Sequence, residues 1–225
     1  MADNTFGKEN CVRAIRDMTN ALNDATKEVA NYVKNFAIDT SRVWNDPNAV
    51  DFMKEIKVSY EKAIKEMNKN NKKFAEAASK ITTIYLRTSD DDYHGRFSAD
   101  PPFDVSATID VSAVKASFPD GLVGSKMKEG ETLTDHMKRA ESKLSALADQ
   151  VEASVKNANA FSNPSVKAAF GRTASKVAKI LRDHAQDITK ISKKYIDDTA
   201  QNYTMVSEAS ADMLIQMISS TDGGK

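Results

Sequence analysis

With Cys11 as its only cysteine, the chain can form no intramolecular disulfide framework. The simplest reading of that residue is a packed thiol near a helix start, with an intermolecular link as the alternative. Glycine and proline are also scarce, at 8 and 5 of 225 residues, and two long stretches almost lack both. That scarcity suits long helices. Net charge is absent, because 32 basic residues balance 32 acidic ones. A nucleic-acid-binding protein should carry a basic face, so no nucleic-acid partner is expected. No apolar run approaches the 18 or so residues of a membrane span. Met1 to Glu9 has no apolar core of a secretory signal peptide. Export, if it occurs, is therefore expected to be signal-peptide-independent; otherwise the protein is cytoplasmic.

The motifs of chemistry are missing too. There is no Gly-rich phosphate loop and no Gly-x-Ser-x-Gly elbow. His94, His136 and His184 are far apart, and none belongs to a Glu-x-x-His or His-x-x-x-His pair. Asp90-Asp91-Asp92 is followed by no calcium-loop pattern. No catalytic residue, cofactor or metal is expected, and the chain reads as non-enzymatic.

What is present is a short corner, used twice. The first copy is Trp44-Asn45-Asp46-Pro47 and the second is Phe161-Ser162-Asn163-Pro164. A short polar side chain before proline is a helix-start signal. Asp46 and Asn163 can each accept from a first-turn N–H, and Pro47 and Pro164 suit a position that needs no N–H. Each corner separates two helix-period stretches. Residues 8–43 carry Val12, Ile15, Met18, Leu22, Val29, Val33 and Phe36 at steps of mostly three and four. Residues 47–87 continue with Met53, Ile56, Tyr60, Ile64, Met67 and Phe74. Asn71 interrupts that seam, either as a register-fixing polar residue or as one facing solvent at the helix edge. Leu133, Met137, Leu144, Leu147 and Val151 lead to the second corner, and Val166, Phe170, Val177, Leu181, His184, Ile188 and Tyr195 follow it.

Between the helical parts lies a connector, residues 88–130, punctuated by Pro101-Pro102, Pro119-Asp120-Gly121 and Gly124. It is acidic: residues 88–135 hold 10 acidic and 4 basic residues, whereas residues 1–87 hold 12 and 15 and residues 136–200 hold 7 and 12. The stretch 103–111 has some β character and is a candidate for one or two short strands. The expected organisation is thus a first helical hairpin over 1–87, the connector over 88–130, and a second hairpin over 131–225. The fold class is all-α, with the hairpins packed as an elongated four-helix bundle. A shift of 117 residues aligns Trp44 with Phe161, Asp46 with Asn163 and Pro47 with Pro164. One residue of slip then aligns Phe52 with Phe170. The pattern reads as a weak internal repeat, with independent origin of two similar hairpins as the alternative.

The candidate partner-binding residues are the corner aromatics Trp44, Phe52, Phe161 and Phe170, with Tyr203, Met213 and Met217 near the end of the last helix. Trp44 reads equally as an anchor for a partner and as a plug holding its own corner. The run Met213-Leu214-Ile215 with Met217 and Ile218 is apolar on more than one side, which suits contact with a partner or a second copy of the chain. Gap-filling within the core is the plainer role for the methionines.

Trp44-Asn45-Asp46-Pro47-Asn48-Ala49-Val50-Asp51-Phe52, with the helical residues running on to Tyr85, resembles the corner of the WXG superfamily. These are helical-hairpin proteins exported by type VII secretion systems. Asp46 stands where the family has Gly, and residues 131–217 look like a second, diverged copy with Phe161 in the Trp place. The resemblance implies association with a type VII system and helix-on-helix binding to itself, to an effector or to the secretion machinery. Family members carry Tyr, three residues, then Asp or Glu after the second helix. Here Tyr195 precedes Asp198 by two residues and Tyr203 precedes Glu208 by four, so that signal is not matched. The rival expectation is a surface structural, adhesive or membrane-inserting helical protein. Its only candidate tongue, 103–123, is weakened by Asp104, Asp110 and Asp120.

Overall fold

In the computed structural model the chain is described over residues 8–89, 94–99, 104–126, 131–161 and 163–221; over 198–221 side chains are described only at Asp212 and Met213. The fold is all-α, with four helices: α1, Lys8–Val43; α2, Pro47–Ser89; α3, Leu133–Ala153; and α4, Pro164–Thr221. A 3-10 segment, Ser154–Ala160, carries the chain from α3 toward α4. The acidic run 90–92 and the prolines 101–102 lie outside the described residues.

The heptad-like spacing of apolar residues is what each helix buries. Ile15, Met18, Leu22, Val29, Val33 and Phe36 of α1 meet Phe52, Met53, Ile56, Tyr60, Ile64 and Met67 of α2 in one core, which Leu144, Leu147, Val151, Val177, Leu181 and Ile188 of α3 and α4 complete. Asn71 is fully buried, and its amide donates to Thr26 Oγ1 at 3.0 Å and to the Leu22 carbonyl at 3.3 Å. The solvent-facing reading of Asn71 is therefore excluded. Slipping α2 against α1 by one turn would strand that amide, so it favours one register.

Helix starts follow the local chemistry. Asp46 Oδ1 accepts from the Ala49 N–H at 2.6 Å, and Asn163 Oδ1 accepts from Ser165 N–H at 2.8 Å. Thr132 and Asp135 form a reciprocal capping box at the start of α3. The two hairpins differ in proportion, because α3 is 21 residues long and α1 is 36. Their corners lie at opposite ends of the helices. Phe170, just past the second corner, packs on Phe74 at 5.1 Å between ring centroids, and Phe74 is about 40 Å of helix from Pro47 at 1.5 Å per residue.

The connector corrects one expectation. Among its described residues no strand forms over 104–111. Among the described residues the only β pairing is a two-residue antiparallel bridge, Trp44–Asn45 (β1) with Gly124–Ser125 (β2). The alternation of 105, 107, 109 and 111 toward the core comes instead from an extended strap laid along α2. Phe97, Ile109, Val114 and Phe118 are buried beneath it. The backbone groups of the strap are satisfied by side chains rather than by a second strand. The Asn68 carboxamide accepts from Val105 N–H at 3.4 Å and donates to Val105 O at 2.7 Å. Thr83 Oγ1 accepts from Phe97 N–H at 3.0 Å, and Ser79 Oγ accepts from Ala99 N–H at 3.0 Å. The period-2 signal was real, but a helix lined with Asn, Ser and Thr can do the pairing that a neighbouring strand would do.

Candidate functional site

The first corner is built from residues adjacent in sequence. The Trp44 indole N–H donates to Asp46 Oδ2 at 2.9 Å while the other carboxylate oxygen caps α2. Trp44 is fully buried and its ring lies 5.4 Å from Phe52. Phe52 in turn meets Tyr195 of α4 edge-on at 6.3 Å. Asn45 binds the Ser41 carbonyl through its amide and accepts from Lys115 N–H at 2.8 Å, and Lys126 N–H donates to Val43 O at 2.7 Å. The connector thus returns to close the corner on the outside. At the second corner Phe161 and Phe170, the residues aligned with Trp44 and Phe52, stand 5.3 Å apart, also tilted.

Four of the seven candidate contact residues are therefore core residues: Trp44 and Phe52 are fully buried, Phe170 and Phe161 nearly so. Contact of a partner with Trp44 or Phe52 requires the helices to separate, whereas Phe161 and Phe170 line an apolar cleft. The plug reading describes where Trp44 sits. Met213 is 66% exposed. Tyr203 and Met217 belong to α4, but their side chains lie outside the described residues.

Two polar clusters join α2 to α4, and neither was assembled from the sequence. Tyr195 O–H donates to Glu55 Oε1 at 2.5 Å, with Lys194 Nζ 3.3 Å from the same oxygen. The tyrosine hydrogen bond and then the lysine hold Glu55 below the usual carboxylate range. One turn away, Ser59 Oγ donates to Asp187 Oδ2 at 2.8 Å and stands 2.8 Å from His184 Nδ1. The hydroxyl has one proton and gives it to Asp187, so Nδ1 carries the ring proton and donates to Ser59. His184 Nε2 is buried with no described partner, and burial lowers its pKa to about 4.

Serine, histidine and aspartate are the residues of a hydrolytic triad, but this order cannot do that chemistry. The aspartate binds the serine rather than a ring nitrogen of the imidazole, so it does not hold the ring in the orientation and tautomer that a general base needs. Sequence reading placed His184 on the seam of the last helix; Ser59 lies on another helix, which no spacing rule relates to it. His136, at the start of α3, stacks on Phe36 at 5.2 Å and lies 3.2 Å from Thr40 Oγ1. Among the described residues no group of three or more His, Cys, Asp or Glu side chains is placed to hold a metal ion, and no helix is long and apolar enough to cross a membrane. The arrangement offers buried joints and, on α4, the exposed Met213. Comparison of the chain with protein-family models, with curated proteins and with solved structures finds no match in any of the three.

Proposed function

We propose that this chain is a non-enzymatic helical interaction protein associated with a type VII secretion system. In this reading it folds as an elongated four-helix bundle, two WXG-like hairpins in one chain, and binds helix-on-helix to itself, an effector or the machinery. The observation that carries it is the length of α4. Tyr195 is the last buried residue of that helix described, and it packs on Phe52, less than two turns above the start of α2. From there α4 runs on to Thr221, about 39 Å at 1.5 Å per residue. That length carries Tyr203, Met205, Met213, Leu214, Met217 and Ile218, and Met213, whose side chain is described, is 66% exposed. A long helix that exposes apolar residues such as Met213 offers a face for another surface.

The test is export from a type VII-competent cell. Wild-type chain is expected in the medium. A chain ending at Asp197 is expected to be retained while keeping its helical circular dichroism and melting temperature. Deletion of the membrane ATPase of the system should also retain the wild type. Wild-type protein still found outside the ATPase-deleted cell overturns the secretion reading, and export of the truncated chain at the wild-type level overturns the role of the α4 extension.

A further inference from the structure

At the end opposite Trp44, a cleft of about 660 Å³ opens between α2 and the start of α4. Its floor is formed by Cys11 and Ile15 of α1, Phe74 and Ala78 of α2, and the second-corner rings Phe161 and Phe170. Cys11, Phe161 and Phe170 are each under a tenth exposed, so the cleft reaches the core rather than lying on the surface. Its volume falls within the roughly 300–1,000 Å³ of small-molecule sites, which are mostly apolar with a few polar groups. The polar groups here are Thr82, Asn163 and Ser165. Ile81 and Ile84, 59% and 65% exposed, extend the apolar surface outward along α2.

Charge identifies the kind of occupant. From Pro164 to Arg182, α4 carries five basic residues and no acidic one. Lys179 and Arg182 are neutralised, by Asp183 and by Asp149 with Glu152. Arg172 and Lys176 are exposed and enter no ion pair with a described residue. They follow Ser165 and Ala169 of the cleft at helical positions i+7 and i+11, on one stripe. On α2, exposed Lys73 and Lys80 flank Ala77 of the cleft at i−4 and i+3, and they too enter no ion pair with a described residue. The two helices meet at Phe74 and Phe170, so these stripes flank the cleft from its two walls, with the exposed Glu76 the one acidic residue beside Ala77. An apolar cleft flanked by a net basic rim fits a molecule with a long apolar body and one anionic head.

We propose that this cleft binds a single-chain anionic amphiphile, a long-chain fatty acid. The acyl chain lies among Phe74, Phe161 and Phe170, and the carboxylate stands at the rim of Lys73, Lys80, Arg172 and Lys176. The site is independent of the secretion reading and needs no residue of the α4 extension.

Titration of the full chain with a fluorescent fatty acid, displaced by palmitate and by the uncharged hexadecanol, tests it. Saturable binding is expected. Ala77→Trp, at an exposed position on the edge of the cleft, should weaken it at least tenfold; Ala169→Trp is the second filling variant should the first lose its circular dichroism. Lys73→Glu combined with Lys176→Glu should weaken palmitate at least tenfold and hexadecanol by less than threefold. Absence of saturable binding, or binding that both kinds of variant leave unchanged, overturns the proposal. A dimer dissociated by Ala77→Trp would give the cleft to a second copy. Flotation with phosphatidylglycerol vesicles without fatty-acid binding would give it to a membrane surface. Each of these two results overturns the proposal as well.

Discussion

The indole N–H of Trp44 donates to Asp46 at 2.9 Å, and the same carboxylate caps α2 through Ala49 N–H. One buried side chain thus fixes both the ring that fills the corner and the helix that leaves it. A glycine at this position would offer neither bond. Asp46 makes the corner self-sufficient.

Removal of Asp46 should therefore cost more than an ordinary cap. Asp46→Ala loses the cap and strands the buried indole N–H, together about 2–3 kcal/mol. For a chain of this size that lowers the melting temperature by roughly 4–12 °C. Trp44→Phe keeps the cap and most of the packing and is expected to cost less; Trp44→Ala, which empties a fully buried site, should cost about 3–5 kcal/mol. Thermal unfolding followed by circular dichroism gives all three, and an Asp46→Ala chain that melts with the wild type refutes this account of the corner.

His184 makes stability depend on pH in a stated direction. Its pKa is lowered from 6.5 to about 4, first by burial, with Asp187 opposing. The folded state therefore holds the neutral ring, and between those values the unfolded chain binds the proton more tightly. Stability is full above about pH 7 and falls as pH drops toward 4, by about 2 kcal/mol at pH 5 from this group alone. His136, also lowered by burial, acts with the same sign. Urea unfolding at pH 7.5 and pH 5 measures the loss, and His184→Gln should flatten most of it. An equal pH dependence in that variant would locate the effect elsewhere.

Asn68 holds the strap. Its carboxamide pairs with both backbone groups of Val105, so Asn68→Ala leaves two partly buried groups in need of water and costs about 1–2 kcal/mol. The loss should be local, because the helices below pack without the strap. Limited proteolysis should cut within 104–118 several times faster in the variant, with helical circular dichroism retained. Unchanged cleavage would mean that the buried side chains Ile109, Val114 and Phe118 alone fix the strap.

Much of the local structure is legible in the sequence for a physical reason. A cap needs a side chain within three residues of the N–H that it satisfies, as Asp46 and Asn163 show, and a buried helical stripe needs apolar residues at steps of three and four, as Met18, Leu22 and Val29 show. The aligned aromatic pairs, Trp44 with Phe52 and Phe161 with Phe170, even share a separation close to 5.3–5.4 Å. The strap was misread because period-2 burial looks alike whether a strand or a row of helix side chains supplies the hydrogen bonds. The Ser59–His184–Asp187 cluster, the Glu55–Tyr195 bond and the cleft behind Cys11 had no local signal, since each joins residues from separate helices.

The sequence by itself therefore determined four amphipathic helices, the helix starts at the two corners, and a chain that is largely helical, because those properties depend on neighbours within a few residues. Only the tertiary structure decided that the corners lie at opposite ends, that Asn71 is buried against Thr26, and that the connector returns from α2 to pair Gly124–Ser125 with Trp44–Asn45. It alone decided that an apolar cleft lies under basic side chains. Those outcomes depend on which helix faces meet, and helical periodicity specifies that a face must be covered without specifying by what.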